Sequence, residues 1–144
     1  MNKELSILSL PISSLKLDPR NPRFHSEKQI QQIARSIISF GFNVPVLVDA
    51  ANKVIGGHGR VLACKKLGWI EVPATRLEHL SEAQARAFAI ADNRLTENST
   101  WDNALLGEIF LELSAQELDF SIEATGFSLD EIDLCIENAS ADAS

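Results

Sequence analysis

Tyrosine is absent from this 144-residue chain, methionine occurs once and cysteine only twice, at Cys64 and Cys135. Two cysteines so far apart give neither a disulfide scaffold nor the close spacing of a zinc site, which leaves a reducing cytoplasm as the expected compartment. No apolar run approaches the roughly 18 residues needed to span a bilayer, and no membrane partner is expected. Met1 to Leu10 has one Lys and no small-residue cleavage site, so it does not read as a signal peptide. The most informative absence is that of bases near the C-terminal end. Residues 101–144 hold no Lys or Arg and 11 Asp or Glu, whereas residues 1–100 hold 13 Lys or Arg against 9 Asp or Glu. The net charge of -7 thus combines a front part at +4 with a back part at -11. The front can hold phosphate, while the back repels polyanions or simply serves as a solvated acidic surface.

What is present suffices for a folded domain. Apolar residues make up 45% of the chain, which excludes a disordered segment of low hydrophobicity. The length predicts one domain with a small appendage. Leu5 to Leu17 reads as a short strand, a break at Pro11 and a single turn, followed by the irregular stretch Asp18-Pro19-Arg20-Asn21-Pro22-Arg23. Ser26 and Gln29 predict a capping box, and Ile30, Ile33, Ala34, Ile37 and Ile38 form the apolar stripe of a helix that Gly41 stops. Val44 to Val48 predicts a strand with Pro45 near its start, Asp49 to Lys53 a polar turn, and Val54-Ile55 a returning strand. A helix is expected from about Arg60 to Leu67, then a strand over Ile70 to Leu77 interrupted at Pro73. Ser81 with Gln84 opens a further helix to about Leu95. The order β-α-β-β-α-β-α predicts an α+β fold, a mixed sheet with flanking helices.

Beyond Asn98 the pattern is purely helical. One helix carries Leu105, Leu106, Ile109, Phe110 and Leu113; a second, capped by Ser128 with Glu131, is expected to bury Leu129, Ile132 and Ile136. The predicted organisation is a domain over residues 1–98, a helical appendage over 99–138 and a frayed tail over 139–144. Phe110, Phe120 and Phe127 are expected to fix the appendage to the sheet domain, with Trp69 and Trp101 as packing anchors. His25 and His79 are expected to be loop residues rather than ligands.

Chemistry concentrates in Val54-Ile55-Gly56-Gly57-His58-Gly59-Arg60. A strand enters a glycine-rich turn and passes directly into a helix. Glycines let several backbone N–H groups approach one anion, the helix N-terminus adds partial positive charge, and Arg60 can fork onto a phosphate. The turn has neither the Gly-Lys-Ser/Thr of a Walker loop nor dinucleotide-fingerprint spacing, and such a turn also occurs as plain structure. Arg23, after a Pro-rich stretch, and Ala91-Asp92-Asn93-Arg94, near a helix end, add two bases, an acid and an amide. Asp92 and Asn93 carry oxygen ligands of the kind Mg²⁺ takes beside phosphates; taken alone, they also fit a helix C-terminal turn.

Asn21-Pro22-Arg23, Val44-Pro45-Val46-Leu47-Val48, Val54 to Gly68 and Val72-Pro73 together resemble the ParB/sulfiredoxin-like N-terminal domain family over about residues 6–98. Ala91 to Arg94, Trp101-Asp102 and Gly126-Phe127 are similar to a branch of that family found on bacterial and phage DNA-modification proteins. The resemblance implies a nucleotide-binding domain, CTP or ATP with Mg²⁺, of a chromosome partition-like or DNA-modification-linked protein. It implies phosphate contacts from Arg23, Gly56, Gly57, His58, Gly59, Arg60 and Arg94, and metal contacts from Asp92 and Asn93. A homodimer, and DNA bound through another domain or subunit, follow from the same resemblance. The family's Gly-Glu-Arg-Arg motif is answered here by Gly57, His58, Gly59 and Arg60, so its acid and first arginine are missing. The second motif, Glu-Asn-x-x-Arg, is answered by Asp92-Asn93-Arg94 with the base displaced. Relatives of the fold supply rival readings. Sulfiredoxin carries its catalytic Cys where this chain has His58. A small-molecule kinase would use His58 as its catalytic candidate, and a metal-dependent nuclease would use Asp92. A ligand-free interaction module is the third reading.

Overall fold

The computed structural model describes residues 4–21 and 23–142; Met1 to Lys3, Pro22 of the Asn21-Pro22-Arg23 stretch, and Ala143-Ser144 of the tail lie outside the described residues. The chain divides into two compact units, residues 1–98 and 99–144.

The first unit contains β1 (Leu8–Pro11), α1 (Glu27–Phe40), β2 (Val46–Val48), β3 (Val54–Gly56), α2 (His58–Lys66), β4 (Glu71–Arg76) and α3 (Glu82–Glu97). This is the expected order of elements. The sheet runs β1-β4-β2-β3, with β4 antiparallel to β1 and parallel to β2, and β2 antiparallel to β3. Pro73 does not interrupt β4. It precedes the Ala74–Arg76 stretch paired with β2, so its missing N–H breaks no bond there. On the other edge Ile12 N donates to Ile70 O, and ladder alternation then assigns the β1 bonds to even-numbered residues of β4.

The core is built from small branched residues. Val46, Val48, Val54, Val61 and Val72 are buried with Ala63, Cys64 and Ala74, and each valine contributes roughly 1.5–3 kcal/mol relative to exposure. From α1 only Ala34 and Ile37 join them fully, while Ile30 and Ile33 pack partly. Ile38, placed by the apolar spacing in the same stripe, is 71% exposed. The Ser26 hydroxyl accepts from Gln29 N, but the Gln29 side chain pairs with His25 Nδ1 at 2.8 Å instead of closing the box. The box at Ser81 and Gln84 is complete.

In the second unit, α4 (Asn103–Ser114) and α5 (Leu129–Asp142) flank a short 3-10 turn at Ile122–Thr125. Asp102 caps α4 through Leu105 N, and Ser128 and Glu131 exchange reciprocal capping bonds. Phe127 packs edge-on against Phe110 at 5.2 Å and Trp101 at 5.6 Å, so these rings meet one another inside the helical unit. Ile132 is buried, Ile136 partly so, and Leu129 lies open. α5 runs on to Asp142, so the stretch expected to fray from Ala139 is helical over its described part.

Gly107 sets how closely α4 and α5 approach. A Cβ there would lie 2.3 Å from Cys135 O and 2.5 Å from Ala139 Cβ. Gly107→Ala is expected to destabilise the helical unit by about 1–3 kcal/mol, because overpacking against backbone outweighs the roughly 1 kcal/mol that Ala gains as a helix former. Thermal unfolding followed by far-UV circular dichroism reads this as a lowered midpoint; an unchanged midpoint would contradict the close crossing.

Candidate functional site

The site forms where β3 becomes α2. No loop separates them: Gly57 is the N-cap of α2 with φ +92°, a left-handed conformation that side chains resist. A Cβ on Gly57 would also come within 3.3 Å of Val46 Cα. The helix therefore starts at His58, two residues earlier than the sequence pattern suggests, and includes Gly59 and Arg60 in its first turn. Its first intrahelical bond is Val61 N to Gly57 O. Among the described residues no side chain caps the turn, so the N–H groups of residues 58–60 are left for an external acceptor. Lys65 and Lys66 lie in the last turn, where they complement the opposite end of the dipole.

These N–H groups open on a cleft of about 580 Å³ lying wholly in the first unit. Gly56, Gly57, His58, Gly59 and Arg60 form one wall. Asp92, Asn93, Thr96 and Glu97 on α3 form another, and Phe40, the last residue of α1, lines the cleft with Phe42 and Asn43 just beyond. Asp92 comes close to the turn: its Oδ2 lies 3.8 Å from where a Cβ on Gly56 would stand. Asn93 donates its Nδ2 to Ala89 O, which orients the amide on its own helix. Arg23 lines the cleft and is oriented by an Asx turn, its N–H donating to Asn21 Oδ1 at 3.1 Å. Arg94 does not line the cleft, and its guanidinium points to Glu97 at 3.6 Å. Glu97 also pairs with Arg23. Sequence reasoning passed over Glu97, whose only signal was its i,i+3 spacing from Arg94. It also missed Phe40, Phe42 and Asn43, which reach the cleft through tertiary folding alone.

Two histidines line the cleft. His25 is the loop residue expected, just ahead of α1, and from there it also lines the cleft. A Cβ on Gly59 would lie 3.1 Å from His25 Nδ1 and 2.8 Å from Ile33 Cδ1, so the glycine makes room for both side chains. His58 Nε2 is buried and has no hydrogen-bond partner among the described residues. Burial lowers the His58 pKa below its usual 6.5, the neighbouring His25 lowers it further, and Asp18 opposes them. The ring is thus held neutral at physiological pH. Cys64, one turn along α2, is fully buried and its thiol is pushed up to about 11 by that burial, so it is no nucleophile.

Because the folded pKa of His58 lies below the unfolded one, its neutral form is favoured by folding. That contribution is complete above 6.5 and is lost as pH falls through the folded value. Denaturant midpoints scanned downward from neutral pH should therefore fall more steeply for the wild type than for His58→Gln. Parallel curves would show that His58 does not titrate against the fold.

The site can be set beside known proteins. The ParB N-terminal domain family matches residues 1–94. The ParB-like nuclease domain-containing protein YnaK of Escherichia coli (strain K12) is 38% identical over 84 residues, 58% of this chain and 97% of that protein. A nucleoid occlusion protein of Geobacillus sp. (strain WCH70) is 28% identical over 99 residues, and the chain spans 35% of its length. The C-terminally truncated chromosome-partitioning protein ParB of Caulobacter crescentus, complexed with CTP-gamma-S, superimposes with a TM-score of 0.71 at 22% identity. That alignment covers 91% of this chain and 77% of that one, and shows a shared fold. With the mixed sheet, the Gly57 turn and the family match over residues 1–94 all in place, the chain belongs to the ParB N-terminal domain family.

Proposed function

We propose that the domain binds a nucleoside triphosphate, CTP or ATP, with Mg²⁺, and regulates a DNA-associated bacterial or phage protein of the partition-like or DNA-modification-linked kind. The observation that carries the reading is the uncapped N-terminus of α2 opening, with Arg60 beside it, into a cleft that Arg23, Asp92 and Asn93 also line. The N–H groups of residues 58–60 would donate to the phosphate oxygens, and Arg60 and Arg23 would neutralise them from two sides. Arg94 would act at the rim.

The donor set fits a magnesium ion held sparingly. Mg²⁺ keeps several waters and is bound by one or two carboxylates plus substrate phosphates; the Asp92 carboxylate and the Asn93 amide oxygen are donors of that kind on the wall facing the glycine turn. When bound, the ion would neutralise phosphate charge. The chain's own residues do the rest: α2 orients the phosphates, and the Phe40 and Phe42 end offers apolar surface to the remainder of the ligand. The relative complexed with CTP-gamma-S supports a cytidine nucleotide as the first to test.

DNA contact would come through another domain or subunit, since residues 101–144 carry no base. A homodimer in which the bound nucleotide biases the segment after Asn98 is part of the same proposal, as is a cytoplasmic setting. The nuclease in the name of the YnaK relative suggests metal-dependent phosphodiester hydrolysis as the second reading. Among the described residues no three His, Cys, Asp or Glu side chains are placed to hold a metal ion together, and the helix N-terminus with its two arginines supports binding as the first reading.

Calorimetric titration of CTP, ATP, GTP and ADP with Mg²⁺ into wild type and Arg60→Ala tests the proposal. One triphosphate should bind saturably, and the variant should weaken it by roughly tenfold to a hundredfold, the worth of one charge-assisted hydrogen bond. No heat with any nucleotide, for a folded protein, would leave the interaction-module reading in its place.

A further inference from the structure

The two walls of the cleft are joined by a single carboxylate. Glu97, the last residue of α3, pairs through one oxygen with Arg23 Nη1 and approaches Arg94 Nη1 with the other at 3.6 Å. A carboxylate bridging two guanidiniums has the geometry in which a phosphate group is held by the same pair of side chains. Arg23 and Glu97 both line the cleft, so this pairing takes place in the space a ligand would enter.

We infer that Glu97 is an internal competitor for the anion site, a tethered carboxylate that holds Arg23 until a phosphate displaces it. The inference rests on the phosphate-binding reading and adds to it a gate made of this chain's own acid. Four residues stand along that stretch of α3 as Arg94-Leu95-Thr96-Glu97, of which Leu95 is exposed, so Glu97 and Arg94 can move together without disturbing buried packing. Once the phosphate takes Arg23, Glu97 is freed at the last turn of α3, one residue before the junction of the two units. Ligand entry is thereby tied to the state of that helix end.

The size of the effect follows from exposure. The two side chains are 38% and 42% exposed, so water and salt screen the pair strongly. Exposed pairs of this kind shift an equilibrium by about two- to fivefold, and the second guanidinium places this one toward the upper end.

The test uses inorganic tripolyphosphate with Mg²⁺ as the probe, titrated into wild type, Glu97→Gln, Arg23→Ala and the double variant. Glu97→Gln keeps the side chain's shape and removes its charge. It should bind the probe about three- to fivefold more tightly than wild type, and the gain should vanish in the Arg23→Ala background, because the competitor then has no guanidinium in the cleft to hold. Raised salt should narrow the difference between wild type and Glu97→Gln. Unchanged or weaker binding by Glu97→Gln would overturn the gate, with the phosphate site intact. A gain that persists without Arg23 would also overturn it, showing only the relief of general negative charge. Binding of the probe by none of the four proteins would remove the phosphate site itself, and the gate with it.

Discussion

Everything in the first unit that concerns a ligand depends on one close approach, the contact of Gly57 with the backbone of Val46. The left-handed N-cap lets β3 pass into α2 without a spacer, and Val46 lies so near that a methyl group would press on its Cα. The same contact fixes two things at once. It seats α2 against the sheet, where Val61, Ala63 and Cys64 enter the core, and it aims the open end of the helix at the cleft. Stability and the proposed anion site are therefore not separable at this position, because the residue that seats the helix also sets where its N-terminus lies.

Electrostatics then act on a small scale inside that frame. The cleft is not simply basic: Arg23 and Arg60 share it with Asp92 and Glu97. The mildly positive front of the chain thus reflects a local arrangement in which acids stand among the bases. Such mixed lining suits a ligand that brings both anionic groups and a cation, and it disfavours bare polyanions. His58, with its Nε2 buried and its pKa lowered, belongs to the same balance of charge, since a protonated ring there would feel His25 in a poorly solvated place.

Much of this was legible in the amino-acid order. Caps at Ser26, Ser81 and Ser128, the Gly56-Gly57 turn and the sequence of elements follow from short-range rules, and the structure shows each of them. The departures in helix burial share one cause. Helical periodicity reports which residues share a face, but the neighbouring sheet decides how much of that face it covers, so Ile38 and Leu129 remain exposed. Gln29 could cap its helix or bond His25, and the three-dimensional position of His25 settled the matter. At the site, residues contiguous with the glycine turn stood out, whereas Phe42, Asn43 and Glu97 arrive from distant segments with no local mark of their own.

One further property follows from α3. The helix has no buried residue along Glu82–Glu97, and Phe88, Ile90 and Leu95 all reach solvent. A helix of 16 residues is marginal by itself in water, so its hold on the rest of the unit is weak compared with that of the valine-packed sheet. The cleft thus joins a wall built into the valine core to one with no buried side chain, and weakly packed elements open at lower free energy than a core does. A ligand touching only the glycine turn would meet a preformed surface; one that spans both walls would have to order α3 as it binds, and its affinity would report the folding equilibrium of that helix as much as the contacts it makes.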